Sequence, residues 1–401
     1  MTDQTSAATA LPADRAARLS GSVGIVGVGN TDYAADYRLG REPVRQLEKA
    51  EFALRALQRA LQDAGLAKDQ LDGVVVAPGL SYERFAELAG LNVRWAAEGD
   101  AARAVILATM AIASGLATCV ALVYGNDGRT AGRTYGGKAS AREGEPKAYT
   151  YYSPWGLTSQ GALYALMTNR YLRLHGVSEA DLGTVAIRQR DYASRNPDAV
   201  RQEPLRLDDY LASPYIAAPL RRLDYCTVND GGVALILPLA ERADWLGRPW
   251  VAVDGIGWSD LNRDATNLRP RLVDFYHTAH RQAAEQVYRM SGCGPEDVDC
   301  VQIYDSFSCH VPVALEGFGY CGEGQGLRLL AGGAPGGRPP LPVNTSGGHL
   351  SESYMHGWNH QVEAVRQLRG QAGGRQVADC RRAQYICDAA GAVRTLVYGA
   401  R

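Results

Sequence analysis

Apolar positions recur along this chain at two periods, and the same succession of periods occurs twice. The stretch "VGIVGVGNTDYA", beginning near Val23, reads as a strand. "ALRALQRALQDAGLAKDQLDGVVVAPG" follows with helical spacing, a glycine stop, an acidic turn and a β-branched strand. The second copy starts with "WVAVDGIGWSDLN" near Trp250 and continues with "AHRQAAEQVYRMSGCGPEDVDCVQIYDSF". Gly65 matches Gly292, Asp72 matches Asp299 and Val74 matches Val301 at one offset, and Val26 matches Asp254 at an offset one larger. A constant offset through four elements indicates an internal duplication. Strand, helix and strand in each copy predict mixed α/β sheets with helices packed on them.

Each half also predicts a further helix. "AARAVILATMAIASG" ends at Gly115 and "HQVEAVRQLRG" ends at Gly370; counting back sixteen residues from each lands on Gly99 and Tyr354. Both are therefore expected at equivalent helix entrances, where unpaired N–H groups and the helix dipole favour negative charge. Two-fold pseudo-symmetry would bring these entrances together near the centre. The expected divisions are a tail at 1–20, an N-terminal half at 21–248 and a C-terminal half at 249–401, with an insertion at 126–222 inside the first half. A segment this long reads as a cap or binding lobe. Its first part carries Arg129, Arg133, Lys138 and Arg142, a diffuse cluster suited to phosphates or, equally, a solvated loop.

Composition narrows the function classes. The 401 residues, 46% hydrophobic, suffice for two cores or one large one, and a net charge of -1 without a basic run argues against nucleic acid and anionic membranes. No apolar stretch approaches the roughly 18 residues a membrane span requires. The small, polar N-terminal tail lacks a signal-peptide core, so a cytoplasmic location is expected. Eight cysteines without tight pairs do not read as a disulfide framework, and Cys293/Cys300 and Cys309/Cys321 match no zinc spacing. "GIVGVGN" has two glycines of a dinucleotide fingerprint, but Asp32 stands where the third belongs. Neither a metal nor a redox cofactor is expected in this chain.

Three stretches carry a family resemblance: "SPWGLTSQGALYALMTNRYLRLHG", "LDYCTVNDGGVALIL" and "NTSGGHLSESYMHGWNHQVEAVRQLRG". They resemble the loop-domain signature, the D-C-x-x-x-x-D-G-A-A-A strand and the N-x-x-G-G…Q-L-R-G segment of the thiolase superfamily, in its lipid-transfer-protein (SCP-x-like) branch. The likeness spans nearly all of residues 20–401 in order. It implies a thiolase fold: two pseudo-symmetric βαβαβαββ halves in five αβαβα layers, with a loop or cap insertion in the N-terminal half. The departures bear on chemistry. Gly99 stands where thiolases resemble one another in a nucleophilic cysteine, Tyr304 replaces the histidine of H-D-x-F, and Tyr354 replaces that of G-H-P. The second thiolase cysteine aligns with Cys387. This pattern is similar to a sub-branch, the retro-aldolases of steroid side-chain catabolism. The resemblance implies cleavage of a β-hydroxyacyl-CoA, a 17-hydroxy steroid C-20 carboxyl-CoA, to an androstenedione-like ketone and a propionyl-CoA-like product. It further implies an OB-fold (DUF35-type) partner on a homodimer core in an α2β2 heterotetramer, with any zinc in the partner.

Retro-aldol cleavage needs a base for the β-hydroxyl, stabilisation of a thioester enolate and a proton for the α-carbon, but no acyl-enzyme. Tyr354 suits proton transfer and Tyr304 enolate stabilisation, with exchange of roles or one shared proton left open. Asp305, His356, Gly348 and Asn344 are the assisting candidates: Asp305 to orient a partner, His356 (with His360 at i, i+4 on the following helix) to move protons, and Asn344 to build the glycine turn or touch substrate. Two other functions stay open. One is a thiolase acting through Cys309 or Cys387; the other is a non-catalytic acyl-CoA or sterol carrier.

Overall fold

The computed structural model describes residues 18–40, 47–133, 153–155, 157, 159–261, 274–332, 340–389 and 391–401. The chain opens by crossing between two sheets. Strand β1 (Gly24–Ile25) pairs antiparallel with the second sheet, and β2 (Gly27–Asn30) joins the first. Then come α1 (Tyr33–Leu39), α2 (Lys49–Ala64), β3 (Gly73–Val76), α3 (Tyr82–Ala89), β4 (Trp95–Glu98), α4 (Ala101–Ala113) and β5 (Cys119–Asp127). The cap contributes α5 (Gln160–His175), α6 (Glu179–Ala193), α7 (Leu207–Ala212) and the hairpin β6 (Tyr215–Ala217) and β7 (Leu220–Arg221). Strand β8 (Asp230–Pro238) returns to the first sheet, whose order is β2-β8-β5-β3-β4. The stretch between the flanking strands is thus 128–229, against the 126–222 set by the sequence pattern.

The second half follows α8 (Ala240–Trp245) with β9 (Val251–Asp260), α9 (His277–Ser291), β10 (Cys300–Ile303), α10 (His310–Gly317), α11 (Gly326–Leu330), α12 (Gly348–Ser351), α13 (Trp358–Leu368), β11 (Arg382–Ala389) and β12 (Ala392–Ala400). Its sheet order is β1-β9-β12-β11-β10. The duplication is visible in pairing: β3 runs parallel to β5 as β10 does to β11, while β8 and β12 lie antiparallel between equivalent neighbours. The counterpart of β4 has shrunk to a single parallel bridge between Val301 and Val343, and β1 supplies the fifth strand instead.

Helices α2 and α9 cover the outer faces of the two sheets, while α4 and α13 lie between the sheets and touch both. This is the expected αβαβα layering. The central core is apolar from both sides, with Val105, Leu122, Leu235, Trp358, Val365 and Tyr398 among its buried members. The cap packs on the second half through Tyr164 against Phe307, with ring centroids 4.8 Å apart.

The paired glycines that imitate part of a nucleotide fingerprint have a packing explanation that the duplication repeats. A Cβ on Gly27 would stand 2.7 Å from Ala64 Cβ, and one on Gly29 would stand 2.5 Å from Ala60 N, both on α2. In the second half, a Cβ on Gly255 would lie 2.7 Å from Val287 O of α9, and one on Gly257 would strike the Ala283 carbonyl of the same helix. Each G-x-G therefore lets its outer helix approach the strand backbone. Gly29→Val and Gly257→Val are each expected to destabilise the chain by about 3 kcal/mol through overpacking. Equal falls in urea midpoint would show that the two contacts are equivalent; unchanged midpoints would refute the close-packing account.

Candidate active site

The site begins where β10 ends. Asn344 holds Ile303 from both sides, accepting from its N–H at 2.6 Å and donating to its carbonyl at 3.0 Å. This fixes the backbone that delivers Tyr304. Of the two roles open to Asn344, the turn is the one seen: its carbonyl accepts from Gly347 N at 2.9 Å, and its fully buried amide clamps the strand. Asp305 comes next, also fully buried, and accepts from His349 N at 2.9 and 3.1 Å, from Leu350 N at 3.4 Å and from His360 Nε2 at 2.8 Å. Burial raises its carboxyl from the usual range, and the His360 hydrogen bond pulls the other way. Gly348 contributes by having no side chain: with φ at +58°, a Cβ there would stand 2.5 Å from Asp305 Oδ2.

Tyr354 arrives on the loop that follows α12. Its N–H donates to Asn229 Oδ1 at 2.8 Å and Thr227 Oγ1 at 3.1 Å, and its carbonyl accepts from Asn126 Nδ2 at 3.3 Å. The backbone of the C-terminal half is thus held by residues of the N-terminal half and its insertion. The two phenol oxygens meet at 3.0 Å, with the rings 6.5 Å apart and at 72°. Tyr304 is 6% exposed and Tyr354 8%, so both belong to the buried interior while retaining a little accessible surface. His349 lies edge-on to both rings at 4.9 Å, and His356 at 5.9 and 6.0 Å.

The local geometry of Tyr354 differs from the sequence expectation. Gly99 lies two residues ahead of α4, but Tyr354 lies four ahead of α13, separated by Met355, His356 and Gly357. Strand register explains the mismatch: Val74 pairs with Ala96 and Val301 with Val343, which makes Ser346 the counterpart of Gly99. Residues 347–357 are extra chain in the second half. His356 and His360 are accordingly not neighbours on one helix. His356 sits in the turn with φ at +52°, and Gly357, the N-cap of α13, has φ at +86° where a side chain would strike the Tyr385 hydroxyl.

The other sequence candidates lie elsewhere. Arg129 donates from Nε to Tyr37 O at 2.7 Å and stacks 3.6 Å over that ring, while Arg133 pairs with Asp127 at 3.4 Å. These arginines tie down the loop after β5. Lys138 and Arg142 lie outside the described residues. Sequence reading passed over three contributors. His349 directly follows the glycine pair; Asp100 directly follows Gly99; Asn229 lies within "TVND" of the strand that carries part of the family resemblance. Adjacency to a motif was the available signal in each case.

The electrostatics favour neutral imidazoles and protonated thiols. Burial, reinforced by neighbouring His360, holds His349 well below its usual range, and burial pushes His310 down to about 4. Burial raises Cys387 to about 12, with the Asp100 charge adding to the effect, and raises Cys309 to about 12. Neither cysteine is primed as a thiolate nucleophile. Among the described residues, Asp305, His349 and His360 form a trio whose possible metal-ligand atoms lie within 4.8 Å of one another. Backbone N–H groups already occupy both Asp305 oxygens, and His349 Nε2 accepts from Gly357 N at 2.9 Å. The trio thus works as a hydrogen-bonded hub that anchors the loop carrying Tyr354.

Iodoacetamide at neutral pH is expected to leave Cys309 and Cys387 unmodified in the native chain and to label both in urea. Rapid native labelling of either, read by peptide mass spectrometry, would contradict the burial argument. Glu352, which accepts from Ser346 Oγ at 2.6 Å and Asn359 Nδ2 at 2.7 Å, is raised by burial, and then by nearby Glu363, to about 7. A carboxyl raised on folding binds its proton more tightly in the native state. Its contribution is therefore present below 4.5 and lost as pH rises through 7. The stability of the native chain relative to Glu352→Gln should fall across that window by about 3 kcal/mol, measured by urea midpoints at each pH. A pH-independent difference would refute it.

Comparison with known proteins places this geometry in a family. Residues 266–395 match the model described as thiolase C-terminal domain-like. Over 375 residues the chain is 32% identical to the 17-hydroxy-3-oxo-4-pregnene-20-carboxyl-CoA lyase of Mycobacterium tuberculosis, covering 88% of this chain and 92% of that one. It is likewise 32% identical over 376 residues to the steroid side-chain-cleaving aldolase of Thermomonospora curvata, covering 88% and 91%. Among solved structures, an Ltp2-ChsH2(DUF35) aldolase superposes with a TM-score of 0.82 at 28% identity, over 95% of this chain and 98% of that one. An acetyl-CoA acetyltransferase from Syntrophomonas wolfei shares the fold at a TM-score of 0.63 and 13% identity, over 95% of this chain and 99% of that one. With two hydrogen-bonded tyrosines at its centre, the chain belongs to the thiolase superfamily, in the family of the steroid side-chain-cleaving aldolases.

Proposed function

We propose that this chain is a carbon–carbon lyase that cleaves a β-hydroxyacyl-CoA by retro-aldol chemistry. The observation that carries the reading is the 3.0 Å contact between the hydroxyls of Tyr304 and Tyr354. Two hydrogen-bonded phenols can share one proton: whichever gives it up is stabilised by the O–H of the other. That suits a reaction in which negative charge appears on a thioester oxygen and a proton must reach the α-carbon. Tyr304 is assigned to the enolate oxygen and Tyr354 to the proton delivery, and the hydrogen bond between them allows these roles to exchange.

In the proposed reaction the β-hydroxyl loses its proton, its oxygen becomes the ketone oxygen, and the Cα–Cβ bond breaks. The electron pair enters the thioester enolate, and protonation of Cα completes the shortened acyl-CoA. No oxidant, metal or acyl-enzyme enters the balance, so no cofactor is assigned to this chain. The named relatives support a 17-hydroxy steroid C-20 carboxyl-CoA as substrate, and retro-aldol cleavage of that thioester gives a steroid ketone and propionyl-CoA. The Ltp2-ChsH2(DUF35) likeness supports an OB-fold DUF35-type partner, which would hold zinc where the assembly has any. A homodimer core within an α2β2 assembly fits the half-exposed β4 at the free edge of the first sheet, since an unpaired edge invites strand pairing. A cytoplasmic setting is part of the same proposal; among the described residues no helix is long and apolar enough to cross a membrane.

The thiolase alternative is weakened by the high pKa of Cys309 and Cys387. The decisive test incubates the chain, co-expressed with its DUF35-type partner, with the 17-hydroxy steroid thioester and follows products by mass spectrometry. Steroid ketone plus propionyl-CoA are expected, and Tyr354→Phe should lower kcat at least about 100-fold. Intact substrate that co-elutes with the wild-type complex would make the chain a carrier instead.

A further inference from the structure

A phenol is a poor acceptor at neutral pH, since its reference pKa of about 10 leaves it protonated. The tyrosine pair can hold and deliver a proton, but a separate group is better suited to take the β-hydroxyl proton. The surrounding imidazoles differ in their commitments. His310 Nε2 lies 3.2 Å from Ser306 Oγ, His349 Nε2 accepts from Gly357 N, and His360 Nε2 is bonded to Asp305. His356 has no hydrogen-bond partner for its ring among the described residues, and it is half-buried where His310, His349 and His360 are buried. Its ring is edge-on to Tyr304 at 80° and to Tyr354 at 82°. It is thus the imidazole beside the phenol pair that remains available to a ligand.

Asp100, in the other half of the molecule, also has an uncommitted side-chain atom. It is the N-cap residue of α4, but its side chain makes no capping hydrogen bond. Its Oδ1 is buried without a hydrogen-bond partner among the described residues, and the Arg103 guanidinium stands 3.9 Å away. Asp100 stands at the entrance of α4, the helix that lies between the two sheets, and its charge acts on His356 on the loop and on Tyr385 and Cys387 on β11. A carboxylate that caps nothing and retains a buried free oxygen is poorly explained by helix stability.

We propose that His356 and Asp100 form the proton-accepting arm of this site, the imidazole of His356 taking the β-hydroxyl proton and Asp100 acting through it as a positioning residue that stabilises the imidazolium. The proposal rests on the lyase reading for its substrate. The β-hydroxyl proton passes to His356 as the Cα–Cβ bond breaks, and the bond's electron pair becomes the enolate. A phenol proton then goes to Cα, and the imidazolium reprotonates the phenolate, directly or through the bond between the two tyrosines. The proton that leaves oxygen is balanced by the one that arrives at carbon, so no co-reactant is required. Burial keeps the resting ring neutral and able to accept, while Asp100 opposes that effect and favours the charged ring once it forms. The titratable groups that act on His356 are Asp100 at the entrance of α4, Tyr304 from the end of β10, His349 from α12 and Tyr354 from its own loop.

The test uses the complex with its partner and the 17-hydroxy steroid thioester. His356→Gln is expected to lower kcat about 100-fold with KM within about twofold. Asp100→Asn preserves a good N-cap residue, so a structural role predicts no change. The proposal predicts a kcat about tenfold lower and an acidic limb of the kcat/KM profile moved about one pH unit down, because removing the negative charge makes the imidazolium more acidic. Wild-type kcat and profile in both variants would overturn it. A second readout is independent of turnover: proton NMR titration of the His356 ring, assigned by its loss in His356→Gln, should shift down by about one unit in Asp100→Asn. If the wild-type complex leaves the thioester intact, the lyase reading fails by itself. An unchanged His356 titration in Asp100→Asn would then overturn the dyad separately.

Discussion

The carboxylate of Asp305 ties the tyrosine site together. A buried anion is costly unless donors surround it, and this one gathers two backbone N–H groups and a ring N–H from chain more than forty residues downstream. Asp305 directly follows Tyr304, so satisfying its charge fixes the start of α12 relative to the end of β10. The loop that leaves α12 then has little freedom before Tyr354, whose own backbone is captured by Asn229, Thr227 and Asn126. The 3.0 Å meeting of phenols follows from these two captures, one by each half of the molecule.

Around that point the architecture behaves as a duplicated scaffold with one asymmetric elaboration. Both halves bring an outer helix against a G-x-G strand and put another helix between the sheets. In the first half the edge strand β4 leads almost directly into α4. In the second, residues 347–357 intervene before α13 and carry the glycine turn, His349, Tyr354 and His356. The insertion of the first half covers this segment, with Val200 and Arg201 donating to the carbonyls of Glu352 and Ser351 at 2.9 and 3.0 Å. Rigidity at the site therefore comes from interlocking the cap, the loop and the strand ends, which is what a reaction dependent on proton placement requires.

The chemistry follows from excluding the thiolase alternatives at the same location. Where that superfamily has a cysteine there is Gly99 followed by Asp100, and the remaining nearby thiols are held protonated by burial. His310 and His349 are committed to neighbours and held neutral by burial. The site is thereby rich in groups that pass protons and poor in groups that attack carbonyl carbon, which favours bond cleavage through an enolate over acyl transfer.

The sequence by itself determined the duplication, the α/β layering and the two tyrosines, because periodic burial and motif position are local properties written along the chain. The helix-ending glycines and the paired strand glycines were legible for the same reason, although the latter lacked their packing explanation until α2 and α9 were seen against them. The entrance assigned to Tyr354 was misplaced because counting back from a helix end cannot reveal the extra residues 347–357; only the pairing of Val301 with Val343 does. The pattern puts Asn344 in the glycine turn but not as a clamp on β10, and puts His356 on a helix, because the left-handed backbone at both positions is not written in neighbouring residue types. His349, Asp100 and Asn229 went unread for the related reason that their roles arise from contacts between stretches far apart along the chain. Side-chain chemistry is set by residue type, but which group meets which, and with how much water, is decided only when the two halves close on each other.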